Sequence, residues 1–469
     1  MRTMTLGAII AGLLASAWAS ALAASDDDLT AIRAEIKQMR QDYERKIDSL
    51  EKRLRTAEAE AKSAKAAAAQ AKQSATSAVA TREQATPAVV LASSEPQPPP
   101  PPSPPPAPRA PSSPSLFNPS ISVILNGNLA SIEHDPDLAR VPGFALGEEA
   151  GLPARGFSLG ESEVAISANV DPELTANLIV SIEGEDAIAV EEAYIQTTAL
   201  GDGFTIRGGR FFSGIGYLNS KHAHAWDFED APLPYRVFLG NQYGDDGVRV
   251  TWLAPTDFFL EFGAEWFRGD AFPAGNADDN GIGSIAAYVH AGADIDEESS
   301  FLAGLSFLHT KADHRETDGG DIFAGDDSFG IASLVYKWAP NGNPVQTNLV
   351  VNGEYFFGHQ EGTFNLVPVN YDRTGFYVQG AYQFMPRWRV ALRYAQVDSD
   401  LNVPLALAGS TLDDLGRTPQ ATSAMLEYDT SEFGRFRLQY TYDQSDLEPN
   451  NEVVFQYTIA IGPHGAHSF

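Results

Sequence analysis

The chain has 469 residues, and its 62 acidic residues outnumber its 32 Lys and Arg residues, so that the formal net charge at pH 7 is −30. This excess argues against nucleic acid as a partner, because a polyanion would be repelled. The sequence has no Cys, which excludes disulfides, thiolate catalysis and Cys-based zinc or iron–sulfur sites. A mean hydropathy of −0.20 argues against a helical membrane protein but is compatible with a membrane β-barrel, whose strands are apolar on one face only.

Residues 1–23 have the pattern of a secretory signal peptide. Arg2 provides a positive start, residues 6–18 an apolar run, and residues 21–23 an A-x-A cleavage site. No later stretch reaches the roughly 18 apolar residues that a membrane helix needs. The sequence therefore predicts an exported protein without a helical anchor.

Residues 25–80 predict an α-helical coiled coil, which a Pro-rich linker separates from the rest of the chain. The apolar stripe cannot be buried by a single helix and so indicates self-association; an amphipathic helix on another surface is the alternative. Residues 81–115 are the Ala- and Pro-rich linker, and twenty residues of polyproline II at about 3.1 Å each would reach on the order of 60 Å. The stripe consists of Leu29, Ile32, Ile36, Met39, Tyr43, Ile47, Leu50 and Leu54.

Residues 116–469 predict an all-β transmembrane barrel of about 16 antiparallel strands. Large apolar side chains alternate with charged ones, as where Val390 and Leu392 share one parity and Arg389 and Arg393 the other. This alternation is typical of a lipid-facing exterior and a wet lumen, although a soluble β-sandwich has the same period. The number of strands favours the barrel. The predicted strands are 118–132, 160–170, 174–183, 188–198, 204–212, 247–254, 257–267, 283–294, 299–311, 328–338, 346–357, 374–384, 387–397, 421–429, 434–443 and 452–462.

The links between these strands alternate between short and long. Short periplasmic turns opposite long outer loops are the organisation of bacterial outer-membrane barrels. The chain ends in Phe469, and a C-terminal aromatic residue is the signal that the barrel-assembly machinery recognises. We therefore expect a Gram-negative outer-membrane location with the N-terminal extension in the periplasm. The long links are 133–159, 213–246, 268–282, 312–327, 358–373 and 398–420.

The C-terminal part resembles a sixteen-stranded Gram-negative porin. The segments FNPSISVILNGNLASIEHDPD and GFSLGESEVAISANVD, together with the segment that begins GRFFSGIGYLNSKHAHAWDFEDAP, resemble a proteobacterial group described as zinc-regulated outer-membrane porins. The N-terminal extension is similar to that of porin-like proteins with a periplasmic coiled coil. The resemblance implies a homotrimer in outer-membrane lipid and a third outer loop that folds into the lumen to form the pore constriction.

The link at residues 213–246 occupies the position of that third loop, between predicted strands five and six, and is the longest in the barrel. Acids on an inward loop opposite arginines on the wall would set a transverse field across a narrow water column. Alternatively, the arginines pair with the carboxylates and pin the loop, and both can hold at once. The loop carries His222, His224, Asp227, Glu229 and Asp230, and the arginines that face it by strand parity are Arg207, Arg249, Arg389, Arg393, Arg435 and Arg437.

Two further predictions concern chemistry. His222, His224 and Asp227 offer two imidazoles and a carboxylate, a set that suits a transient zinc or copper ion; polar pore lining is the alternative. No other cofactor is indicated. The sequence contains no GxSxG or HExxH motif and no GxGxxG on a strand–helix turn, so we expect no enzyme activity.

Together, these features predict a passive outer-membrane porin for small hydrophilic solutes. The acid-rich barrel favours cations, with zinc or another divalent metal as a candidate. One alternative is an envelope-tethering protein whose coiled coil contacts peptidoglycan or another periplasmic partner. A second is a receptor-type barrel for metal uptake, although the C-terminal 354 residues are too few for a plug plus 22 strands at roughly 22 residues each.

Overall fold

The computed structural model of the chain describes residues 119–147, 150–182, 188–275, 281–317 and 319–462. The predicted signal peptide, coiled coil and linker, and the terminal Phe469, lie outside these residues. Among the described residues, no helix combines the length and the apolar character that a membrane span requires.

The described part contains seventeen β-strands that form one sheet. Neighbouring strands pair in an antiparallel manner and almost all follow each other along the chain. The strands are β1 (Ser120–Ile132), β2 (Gly156–Leu159), β3 (Ser162–Asn169), β4 (Leu174–Ile182), β5 (Ile188–Thr197), β6 (Phe204–Phe212), β7 (Gly244–Leu253), β8 (Phe259–Phe267), β9 (Ser284–Asp294), β10 (Ser299–Glu316), β11 (Ile322–Trp338), β12 (Asn348–Phe364), β13 (Val367–Met385), β14 (Trp388–Ser399), β15 (Gln420–Ser431), β16 (Gly434–Asp443) and β17 (Asn450–Ile461).

The sheet closes on itself because the first and last strands pair. β1 pairs with β17 from Val123↔Ile461 to Ile132↔Glu452. Strands β2 and β3 are two pieces of one barrel strand, since β1 pairs with both of them. The barrel therefore has sixteen strands when β2 and β3 are counted as one, and the predicted sixteen-stranded antiparallel barrel is confirmed. Closure leaves no unpaired sheet edge.

Every predicted strand is present, but two of the predicted long loops are wrong. Residues 312–327 and 358–373 belong largely to the hairpins β10–β11 and β12–β13, whose strands extend beyond the predicted ends. The second hairpin turns at Asn365 and Leu366, which both have positive φ, as in a two-residue type I′ hairpin turn. In the β13 extension the apolar residues Val369 and Tyr371 are buried inside, and the outward positions carry polar residues such as Asn370 and Asp372. The apolar-outward pattern used for the other strands is therefore absent there.

Strand parity separates an apolar exterior from a polar interior. On β14, Leu392 is 67% exposed, whereas its neighbour Arg393 is 5% exposed. On β16, Leu438 and Tyr440 are exposed on the outside. The buried inward residues of β16 are Arg435, Arg437, Gln439, Thr441 and Asp443.

The long link between β6 and β7, residues 213–243, folds into the barrel. Its two ends lie side by side, because the Ser213 N–H donates to the Tyr243 carbonyl at 2.9 Å. The link contains a helix, α1 (Leu233–Leu239), in which every residue is buried. Gly240 ends this helix in the left-handed conformation that glycine adopts without strain. We call residues 213–243 the inward loop.

The helix of the inward loop packs on aromatic side chains of the lumen wall. The Phe238 ring lies 5.5 Å from that of Phe329 and 5.3 Å from that of Phe356, and the Tyr235 ring lies 5.2 Å from that of Phe356. The prediction of a wet lumen is therefore wrong for this part of the wall on β11 and β12. Apolar side chains are stable there because the helix covers them and removes them from water.

Candidate pore constriction

Residues 222–230 of the inward loop connect two walls of opposite charge. The segment begins against glutamates carried by β3 and β5 and ends against arginines carried by β14. Arginines of β16 hold its backbone in between, at His224 and Trp226. Its own charges are ordered to match, with the two histidines first and the acids after them. The five loop residues that the sequence grouped together thus divide into a histidine end and an acidic end.

At the histidine end, three carboxylates surround the His222 imidazole. Its Nδ1 lies 3.0 Å from Glu191 Oε2 and 3.4 Å from Glu163 Oε2, and its Nε2 lies 3.2 Å from Glu192 Oε2. The His224 ring stacks on that of His222 with centroids 5.8 Å apart, and its Nδ1 lies 2.6 Å from Glu163 Oε1. All of these side chains are largely buried. The acids that reach the histidines are therefore wall glutamates.

At the acidic end, two of the three loop carboxylates form ion pairs with wall arginines. Arg389 lies 2.7 Å from Asp227, and Arg393 lies 2.6 Å from Asp230. Asn128 of β1 donates to the Glu229 carboxylate at 3.1 Å. Opposite charges are here in contact and not separated by a water-filled gap. This is the arrangement expected if the arginines pair with the loop carboxylates and hold the loop to the wall.

Arg435 and Arg437 hold the backbone of the loop. Arg435 donates to the carbonyl of His224, and Arg437 donates to the carbonyl of Trp226 at 2.8 Å. Both face Glu427 of β15, at 3.9 and 2.8 Å respectively. These three side chains are almost completely buried, so the charges are compensated within the protein rather than by solvent.

Arg207 and Arg249 lie at the base of the loop rather than against its acids. Arg207 stacks on the Tyr194 ring at 3.9 Å and lies 3.9 Å from Glu192. Arg249 pairs with Glu265 at 2.5 Å. The structure thus brings four of the six predicted arginines onto the crossing segment.

Two further wall glutamates, Glu354 and Glu265, anchor the loop and are not among the residues predicted from the sequence. Glu354 accepts hydrogen bonds from the hydroxyls of Tyr235 at 2.8 Å and Tyr377 at 2.6 Å, and from the Tyr217 N–H at 2.7 Å. Glu265 accepts from the Gly214 N–H at 2.9 Å. Strand parity places both acids inward, but nothing local in the sequence distinguishes an anchor from a pore-lining acid.

The pKa values of the titratable residues on the inward loop are shifted by burial and by the charged groups of the wall. Burial raises the pKa of Glu229 to about 7 and lowers the pKa of Lys221 to about 8. Burial also acts on Asp230, but the nearby Arg393 guanidinium outweighs it and keeps the pKa of this carboxyl below its usual range. Burial likewise opposes charge on His222, yet its hydrogen bonds to Glu191 and Glu192 leave its pKa raised. The loop is thus positive against the glutamates and negative against the arginines.

No family model matches the chain. An uncharacterized protein of Aquifex aeolicus (strain VF5) is 31% identical to it over 391 residues, which cover 76% of this chain and 81% of that protein. The chain belongs to the family of this Aquifex protein.

Several solved structures of outer-membrane proteins are similar to this chain at low sequence identity. They include the loop L8 deletion mutant of OmpT, an outer membrane protein of Vibrio cholerae, at 12% identity and a TM-score of 0.48, covering 73% of this chain and 99% of that one. The outer membrane channel DcaP of Acinetobacter baumannii has 11% identity and a TM-score of 0.48, with 73% and 97% covered. An anion-selective porin from Comamonas acidovorans has 14% identity and a TM-score of 0.47, with 73% and 99% covered.

Proposed function

We propose that the chain is a passive porin of the Gram-negative outer membrane for small hydrophilic solutes. The observation that carries the proposal is a closed sixteen-stranded barrel with an apolar exterior and a charged interior that a loop crosses. A closed barrel satisfies all of its backbone hydrogen bonds without water, which a lipid environment demands.

The inward loop and the wall around it form the constriction in this proposal. The sequence-derived set of His222, His224, Asp227, Glu229, Asp230 and the six lumen arginines is retained as the constriction, and the contacts between loop and wall support it. Cation preference rests on the net charge of −30, all of which arises from the acid excess of the barrel sequence. The homotrimer, the periplasmic coiled coil and recognition of Phe469 by the assembly machinery stay predictions.

Planar-bilayer recording of the refolded full-length protein under a KCl gradient tests the proposal. We expect stable conductance steps with a cation-selective reversal potential. A variant without residues 25–115 should conduct equally well, whereas an envelope tether would lose envelope integrity in cells while its barrel stayed intact. Correctly folded barrels that conduct no current would contradict the porin and favour the tether.

The destabilisation caused by a charged residue on the outer face of the barrel tests whether that face contacts lipid. Leu392→Arg is expected to lower the free energy of unfolding in lipid vesicles by about 2–4 kcal/mol, because arginine is costly near the bilayer midplane. Asp398→Arg, at the same parity but next to the loop end of β14 (Trp388–Ser399), should cost about 0–1 kcal/mol. Urea titration in vesicles provides both values. Equal effects of the two substitutions would contradict a lipid-facing exterior.

A further inference from the structure

Two irregularities in the barrel wall bring glutamates to the same place. In the pairing of β4 with β5, Ile179 faces Glu192 and Val180 faces Val190, so Glu191 is an extra residue. This is a β-bulge, and it changes the parity of the strand. Val190 and Ile195 are consequently both exposed on the outside although they are five residues apart. The bulge turns two consecutive glutamates, Glu191 and Glu192, towards the loop.

The second irregularity lies between β2 and β3. Ile124 pairs with Glu163 and Gly127 pairs with Leu159, so three residues of this barrel strand oppose two of β1. Asn126 holds the break in place, because its side chain donates to the Glu161 carbonyl at 2.6 Å and its N–H to Ser162 Oγ at 3.1 Å. Glu163 follows directly and is 2% exposed.

We propose that Glu163, Glu191 and His222 form a binding site for a divalent transition-metal cation such as Zn²⁺ or Co²⁺. One donor atom from each residue lies within 4.8 Å of the other two, close enough for a single ion to meet all three. The donors come from three separate segments, two of the wall and one of the inward loop. A bound ion would therefore tie the loop to the wall.

The composition of the site decides the class of ion. Carboxylates alone suit Mg²⁺ or Ca²⁺, whereas an imidazole among them favours zinc, cobalt and related ions. His224 Nδ1 lies 2.6 Å from the Glu163 carboxylate. Metal ligands are commonly held in orientation by a hydrogen bond to a neighbouring side chain, and His224 does this for Glu163. Glu192, 3.2 Å from His222 Nε2, holds the ring from its other side.

Charge balance also favours a cation. Three carboxylates converge on the single His222 ring, and Arg207 lies 3.9 Å from one of them, Glu192. A fourth acid, Glu161, is hydrogen-bonded to Glu191 on the same side of the loop, so acids outnumber the neighbouring basic groups His222, His224 and Arg207. A divalent ion bound among these carboxylates would offset negative charge in a region largely withdrawn from water.

The site differs from the one predicted from sequence in its acids and in having only one of the two histidines, His222, as a ligand. Asp227, which the sequence grouped with the histidines, is held 2.7 Å from Arg389. A carboxylate in contact with a guanidinium is a poor metal ligand, because the cation would have to displace that partner. Glu163 and Glu191 take its place in the structure.

Metal binding is measured on the refolded full-length protein, without an affinity tag and with His464 and His467 replaced by Ala to remove the terminal histidines. We expect one Co²⁺ per chain, visible as a ligand-field absorption band, and its displacement by Zn²⁺ in equilibrium dialysis. Glu191→Gln and His222→Asn should each weaken binding at least tenfold. Glu261→Gln is the matched control, since Glu261 lies 3.8 Å from His290 in a comparable pair of wall residues.

The outcomes separate this site from its alternatives. Absence of saturable Co²⁺ binding in the parent, or equal affinities in the Glu191→Gln and Glu261→Gln variants, would overturn the site. Loss of binding in Asp227→Asn with retention in Glu191→Gln would also overturn it and assign the ion to the set predicted from sequence. Because binding is measured without current, a barrel that conducts but binds no ion contradicts this site alone. A barrel that binds the ion but does not conduct contradicts the porin alone.

Discussion

Replacing residues 214–242 by a four-residue Gly/Ser turn is expected to raise the single-channel conductance several-fold. The ends of the inward loop are adjacent, since Phe212 pairs with Gly244 and Ser213 hydrogen-bonds to Tyr243, so a short turn can close β6–β7. A sixteen-stranded barrel with strands about 4.8 Å apart is roughly 30 Å wide between backbones. Removing a loop that contacts both charged walls opens most of that width. The measurement is step size in planar bilayers.

Graded variants distinguish a constriction from a barrel distorted by the deletion. Tyr235→Phe removes the hydrogen bond to Glu354 and the one that the hydroxyl accepts from the Leu218 N–H. It should increase conductance and current noise by less than the deletion does. Tyr382→Phe, on the exposed outer face of β13, is the matched control and should leave both unchanged. Conductance that is the same in the loop deletion and the parent would show that the loop does not limit passage.

Glu427→Ala is expected to lower the free energy of unfolding by about 3–5 kcal/mol, the usual cost of leaving a buried charge without its partner. Glu427 is 2% exposed and faces both Arg435 and Arg437, which are equally buried. Without it, two guanidiniums repel each other in a region withdrawn from water. Because the same arginines donate to the carbonyls of His224 and Trp226, the crossing segment of the loop should loosen as well.

Urea unfolding in vesicles measures this loss, and open-channel noise reports on the loop. Glu432→Ala removes an exposed acid in the turn that follows β15 and serves as the control, with an expected change within about 0.5 kcal/mol. Glu427→Gln, which keeps the shape and removes the charge, should also be strongly destabilised. If Glu427→Ala and Glu432→Ala are equally stable, the charges at Arg435 and Arg437 are balanced by other groups.

The alternation of apolar and polar residues was sufficient to predict the barrel strands where one face contacts lipid. It failed to predict strands where that face is no longer apolar. The alternation of Leu392 with Arg393, or of Leu438 with Arg437, reflects lipid on one side and a polar interior on the other, and each strand meets this contrast independently. The outer parts of the β10–β11 and β12–β13 hairpins carry polar residues at outward positions, such as Asp313 and Asn370, so the apolar-outward pattern predicts loops there.

The residues of the inward loop were predictable, whereas their partners were not. A long link between strands five and six that carries two histidines and three acids is evident in the sequence. The pairing of His222 with glutamates and of Asp230 with Arg393 depends on how the loop crosses the lumen. Glu354 is 119 residues from Tyr235, and no local pattern relates two positions so far apart.

The sequence by itself determined the number of strands, their order and which face of most strands points outward, because these depend on short-range periodicity and on links that can be counted. The tertiary structure decided which charges meet. The bulge at Glu191 reverses strand parity, and its position follows from the register with β4 rather than from the residues of β5. Contacts between a loop and a closed wall are set by the whole ring of strands, so they emerge only once the barrel has closed.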